Sequence, residues 1–139
     1  MDIVHELIIR TTRDKVYQAL TEPEQIAAWY APDVQAEPVV GSTAEFRFER
    51  GVIRVQITVL EPNRTVGWKV LEGLRGWEGA TGDITWRLTD NPYGAGTMLH
   101  YTHSGWQSMT GPYPSTNFRS GWYIARLQTY VESGVLRPA

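Results

Sequence analysis

Hydrophobic and polar positions alternate through most of this chain, and the two interruptions in that alternation have helical spacing. Near the start, Ile3, Leu7 and Ile9 share one parity and Glu6 and Arg10 the other, with His5 on the apolar side. That period of two predicts a half-buried strand. From Asp14 to Leu20, the recurrence of Val16, Ala19 and Leu20 predicts a short helix opened by Thr12 or Arg13. Thr21, Pro23 and Glu24 then read as a capping box with a first-turn proline, restarting a second helix that carries Ile26 and Trp29. A loop between Pro32 and Pro38 follows. Period two returns at Ala44, Phe46 and Phe48, and again at Ile53, Val55, Ile57 and Val59, with Arg50-Gly51 as the turn between them. Val66, Trp68 and Val70 form the next strand, then Ile84, Trp86 and Leu88, then Leu99, Tyr101 and His103. Gly73, Gly76, Gly79 and Gly82 punctuate a loop that holds Trp77. Residues 104–117, rich in Gly, Pro, Ser and Thr and holding Trp106 and Tyr113, read as a long loop. Beyond it, Tyr123, Ile124, Leu127, Tyr130 and Val131 make a helical stripe that stops at Gly134.

The predicted architecture is α+β: a curved six-stranded antiparallel sheet around a long C-terminal helix, with two short helices after the first strand, all in one domain spanning residues 1–139. One amphipathic helix of about 15 residues is too narrow to fill the concave side of such a sheet. Large side chains or a ligand must occupy the remainder. Composition sharpens that point, because the chain carries 6 Trp, 7 Tyr and 3 Phe. Trp68, Trp86, Phe46, Phe48 and Tyr101 lie on the apolar parity of their strands, whereas Trp29, Trp77 and Trp106 come from helix ends and loops. Indoles at the rim of a concavity act as lids or stacking surfaces.

Charge and cysteine content mostly exclude. Thirteen basic against fifteen acidic residues leave a net charge of −2, without the basic field that nucleic acid or an anionic membrane requires. The absence of cysteine removes disulfides and thiolate chemistry, and the scattered histidines predict no metal site and no cofactor. No run of about 20 apolar residues or secretory pattern is present, so a cytoplasmic location without membrane insertion is expected. His100 falls on the opposite strand face from His103, which denies the two a shared ion. His5, on the inward parity of its own strand, could approach His103 if the register allows. Ser104, Ser108 and Ser115 lack the setting of a catalytic nucleophile, so no catalytic constellation is fixed.

Five segments together resemble a known set: Asp14-Lys15-Val16-Tyr17-Gln18-Ala19-Leu20-Thr21-Glu22-Pro23-Glu24-Gln25-Ile26-Ala27-Ala28-Trp29, Gly41-Ser42-Thr43-Ala44-Glu45-Phe46, Leu60-Glu61-Pro62-Asn63-Arg64, Tyr101-Thr102-His103-Ser104-Gly105-Trp106 and Ala125-Arg126-Leu127. They are similar to the activator of heat-shock protein 90 ATPase homologue-like family, within the SRPBCC (START-like, helix-grip) superfamily. The resemblance implies a hydrophobic cavity between the sheet and the C-terminal helix. It points to a carrier or sensor of a small hydrophobic molecule, aromatic or lipid-like. A cyclase or dehydratase using the same cavity is the alternative, with His103, Tyr101 or Arg126 supplying protonation or charge stabilisation. A chaperone-associated interaction domain rests on the family name alone, and pairing into a homodimer is left open. The candidate lining is Trp29, Phe46, Phe48, Trp68, Trp77, Trp86, Tyr101, His103, Trp106, Tyr123 and Arg126, where Arg126 would reach in to pair a ligand carboxylate.

Overall fold

The computed structural model describes residues 1–74, 77 and 82–134. Gly76 and Gly79, expected to punctuate the loop around Trp77, lie outside the described residues. The element order is β1 (Ile3–Ile9), α1 (Arg13–Thr21), α2 (Pro23–Trp29), β2 (Asp33–Gln35), β3 (Thr43–Phe48), β4 (Gly51–Glu61), β5 (Thr65–Glu72), β6 (Asp83–Asp90), β7 (Thr97–His103) and α3 (Tyr113–Ser133). The strands form one antiparallel sheet in the order β1-β7-β6-β5-β4-β3-β2. It has seven strands instead of the expected six. The added one, β2, is three residues at the sheet edge, where Asp33 faces Arg47 and Gln35 faces Glu45. Three residues are too few to display an alternation.

Each interior strand is apolar on one face only. Ala44, Phe46, Ile53, Val55, Ile57, Val66, Trp68, Val70, Ile84, Trp86, Leu88, Leu99 and Tyr101 are buried, while the reverse face carries charge. There Arg54 bonds Glu45 and Glu72, and Arg47 bonds Glu45. Register shifts between Arg54 and Val55 and between Ile57 and Val59 bend β4 against β5, as bulges do. The inner face is therefore concave, and the helices close it.

The α1–α2 junction differs from the expected capping box. Thr21 ends α1, its hydroxyl donating to the Tyr17 carbonyl at 2.9 Å, and Glu22 occupies the position before Pro23. As the last helical residue of α1, Thr21 lies one position before the N-cap of α2, which Glu22 holds without a side-chain cap bond. α3 differs more. It begins at Tyr113, so residues 113–117, expected in a loop, form its first turns, and it runs 21 residues to Ser133. Gly134 ends it in the left-handed conformation, φ 72°, donating to the Tyr130 carbonyl. Ile124 and Leu127 of the expected stripe are buried, and Tyr123, Tyr130 and Val131 pack against the same core. Among the described residues, no helix is long and apolar enough to cross a membrane.

Candidate functional site

The two halves of α3 meet the sheet with different side chains. The C-terminal half inserts Ile124 and Leu127 into the core. The N-terminal half presents Pro112, Ser115, Thr116, Arg119, Ser120 and Tyr123, spaced to lie on one helix face, and these side chains are mostly short and polar. Short side chains over a concave sheet leave space. The space is walled on the sheet side by Ile53, Trp86 and Tyr101, on the α2 side by Tyr30, and at the β3–β4 hairpin by Phe48 and Arg50. Leu74 and Trp77 close it from the segment after β5. The cavity measures about 80 Å³, within a depression of about 650 Å³ counting its open mouth.

Trp77 is fixed by its indole Nε1, which donates to Thr116 Oγ1 at 3.1 Å, tying the β5–β6 connection to α3. Gly73 makes room for it: a Cβ there would lie 2.2 Å from the indole ring. Behind Trp77, His103 meets Trp77 at 5.1 Å in a tilted contact and Trp106 at 5.2 Å edge to face, and the two indoles also touch each other at 6.1 Å.

Electrostatically the cavity offers donors. Burial holds the Tyr30 hydroxyl well above the usual phenol range, reinforced by Tyr101 and Tyr123 nearby. Burial pushes Tyr101 up to about 12, against an opposing hydrogen bond with Ser120. Both hydroxyls therefore stay protonated at neutral pH. Trp86, 1% exposed, has an Nε1–H with no partner among the described residues. No Asp, Glu, Lys or His lies among the described lining residues. The described lining residues provide hydrogen bonding and apolar contact. Among the described residues no His, Asp or Glu cluster suits a metal ion.

The structure brings together Phe48, Trp77, Trp86, Tyr101 and Tyr123 of the candidate residues around this cavity. It disperses the others. Trp29 is 1% exposed and donates its Nε1–H to the Ala19 carbonyl at 2.8 Å, locking α2 onto α1. Phe46 and Trp68 pack on each other at 4.9 Å under β3 and β5. His103 faces the concave side yet is 0% exposed, sealed from the cavity by its two indoles, and neither ring nitrogen has a partner. Burial pushes its pKa down to about 4, against the opposing pull of Asp2. Trp106, 4% exposed, is core beneath the α3 start. Arg126 turns away from the cavity: its Nε donates to the Trp29 carbonyl at 3.2 Å and its guanidinium stacks 5.0 Å from Trp122. It caps the end of α2, where the helix dipole favours a cation.

The other histidines are also occupied. His5 stands opposite Tyr101 in the β1–β7 register, with Ile3 opposite His103, and shares its Nε2 with the Asn117 carbonyl. His100, on the outer face, pairs with Glu6 at 2.7 Å. Sequence reasoning missed Tyr30, Arg50, Leu74, Ser115, Thr116, Arg119 and Ser120. For the residues on α3 a signal existed: Ser115, Thr116, Arg119 and Ser120 repeat at helical spacing, in polar instead of apolar residues.

Comparison with known proteins places this geometry. The solution structure of the Aha1 dimer from Colwellia psychrerythraea superimposes with a TM-score of 0.87 at 30% identity, covering 96% of this chain and 98% of that one. A Mesorhizobium loti protein, 23% identical, gives 0.82 over 98% of this chain and 100% of its own. A Staphylococcus saprophyticus protein, 21% identical, gives 0.79 over 100% and 98%. A search of curated proteins finds no match. Residues 10–132 match the model of the activator of Hsp90 ATPase homolog 1-like proteins. With that match covering most of its length, the chain belongs to the activator of Hsp90 ATPase homolog 1-like family, within the SRPBCC superfamily.

Proposed function

We propose that this protein binds a small hydrophobic molecule, aromatic or lipid-like, between the sheet and the N-terminal half of α3, as a carrier or sensor. The observation that carries the reading is the polar, short-chained face of α3 set over a sheet of aromatic side chains. A helix selected only for packing would place leucine-sized groups at 116 and 120, as it does at 124 and 127. The cavity's 80 Å³ is below the ~300–1,000 Å³ of pockets that engulf a drug-sized ligand. It therefore receives one ring or a short stretch of acyl chain, and the remainder of the ligand occupies the open mouth. The lack of a described acid or base on the lining favours binding over a cyclase or dehydratase reaction.

The test is titration with the neutral fluorophore N-phenylnaphthylamine against the wild type and Ser120→Phe, which fills the cavity from α3. Saturable one-to-one binding by the wild type, lost in a variant that still melts cooperatively, supports the reading. Equal binding by both contradicts it.

We also propose that two copies pair, because the Colwellia relative is a dimer. Phe118 and Trp122, 74% and 44% exposed on the outer side of α3, supply apolar surface for that contact. Sedimentation equilibrium of the wild type and Phe118→Ser with Trp122→Ser tests this. A dimer that dissociates on substitution is expected, and a wild-type monomer at high concentration would exclude pairing.

A further inference from the structure

We infer that the ligand carries an anionic head, a carboxylate or a phosphate, held at the mouth of the cavity by Arg50 and Arg119. This rests on the binding reading above and adds the chemistry of the ligand's polar end. Arg50 sits at the tip of the β3–β4 hairpin and Arg119 on the cavity-facing side of α3, so two different elements bring a guanidinium to the lining of the same cavity. Both are exposed, and neither has an ion-pair or hydrogen-bond partner among the described residues. The contrast lies on the outer sheet face, where Arg47 is paired with Glu45 and Asp33, and Arg54 with Glu45 and Glu72. Around the cavity the described lining contains no carboxylate to neutralise the two guanidiniums.

The interior agrees with the mouth in sign. Trp86 is a pure donor, and its Nε1–H is buried without a partner. That one unpaired donor on the wall leaves an acceptor to come from the ligand. A neutral hydrocarbon would offer no acceptor to this N–H or to the two guanidiniums. An anion gains charge-assisted hydrogen bonds from two planar guanidiniums whose geometry matches carboxylate and phosphate oxygens.

Two dyes with the same ring system separate the head from the body: N-phenylnaphthylamine is neutral, and anilinonaphthalene sulfonate adds one anionic group. The wild type should bind the sulfonate more tightly. Arg50→Gln with Arg119→Gln should weaken the sulfonate about three- to tenfold, the span between exposed and partly desolvated charge pairs, and leave the neutral dye within about twofold. Raising the salt concentration should weaken the sulfonate alone. Equal loss of both dyes, or no loss of the sulfonate, overturns the anionic head while the cavity itself stands. Failure of both dyes to bind the wild type overturns the binding reading and this inference with it. Displacement of the neutral dye by dodecanoate and by dodecyl phosphate then separates a free carboxylate from a phosphate head. Dodecanol displacing as well as either anion contradicts the inference.

Discussion

His103 gives the fold a pH dependence whose size follows from its surroundings. The imidazole is 0% exposed, in tilted and edge contact with Trp77 and Trp106, with no hydrogen-bond partner for either nitrogen. Burial lowers its pKa from 6.5 to about 4. In the unfolded chain the ring takes a proton near pH 6.5, while the folded protein refuses it until about pH 4. The unfolded state thus holds more protons throughout that window, so stability falls as pH falls through it. Above pH 6.5 both states are neutral and the effect vanishes. At about 1.4 kcal/mol per pH unit, the loss reaches about 2 kcal/mol at pH 5 and about 3 kcal/mol below pH 4. His103→Phe keeps an aromatic ring against the two indoles and removes both unpaired nitrogens. Urea denaturation followed by tryptophan fluorescence, at pH 7 and pH 5, measures the difference. Contacts elsewhere in the fold are common to both proteins and cancel. The variant should lose about 2 kcal/mol less than the wild type between the two pH values. Parallel losses would refute the argument and place the imidazole in contact with water or a partner.

Leu127→Ala, at a site with 0% exposure on the sheet-facing side of α3, should lower the unfolding free energy by about 2–5 kcal/mol; an unchanged denaturation midpoint and slope would contradict the packing. Arg126→Met should cost about 1 kcal/mol through the lost bond to the Trp29 carbonyl and the stack on Trp122, yet leave dye affinity unaltered. A loss of binding with intact stability would return Arg126 to the ligand site. Trp77→Phe removes the donor to Thr116 and should weaken dye binding several-fold while costing at most about 1.5 kcal/mol in stability. A variant with unaltered dye affinity would show that the wall formed by Trp77 is dispensable.

The sheet was legible in the sequence because each interior strand buries one face, and a one-sided strand must alternate. β2 was not, since Asp33, Val34 and Gln35 are too short a run and lie at the solvated edge. The α3 start was hidden for a reason bound up with the site itself. Ser115, Thr116, Arg119 and Ser120 line a cavity instead of touching a core, so the hydrophobic repeat that marks a packed helix is missing there. Trp29 misled in the opposite direction: an indole at a helix end looks like a rim residue, but its N–H found the Ala19 carbonyl and its ring went under. Position along the chain also concealed Arg50. A hairpin-tip arginine is ordinarily solvated, and only the fold brings it to the mouth of the same cavity as Arg119.

The claim that the space beneath the N-terminal half of α3 is a ligand site is tested most directly by proton–nitrogen correlation spectra recorded with and without N-phenylnaphthylamine. The six tryptophan side chains provide separate reporters. The indole N–H signals of Trp77 and Trp86, both on the cavity wall, should shift on binding, and that of Trp122, on the far side of α3 in a different groove, should stay in place. Shifts confined to Trp122, or none at all at saturating dye, would contradict the account.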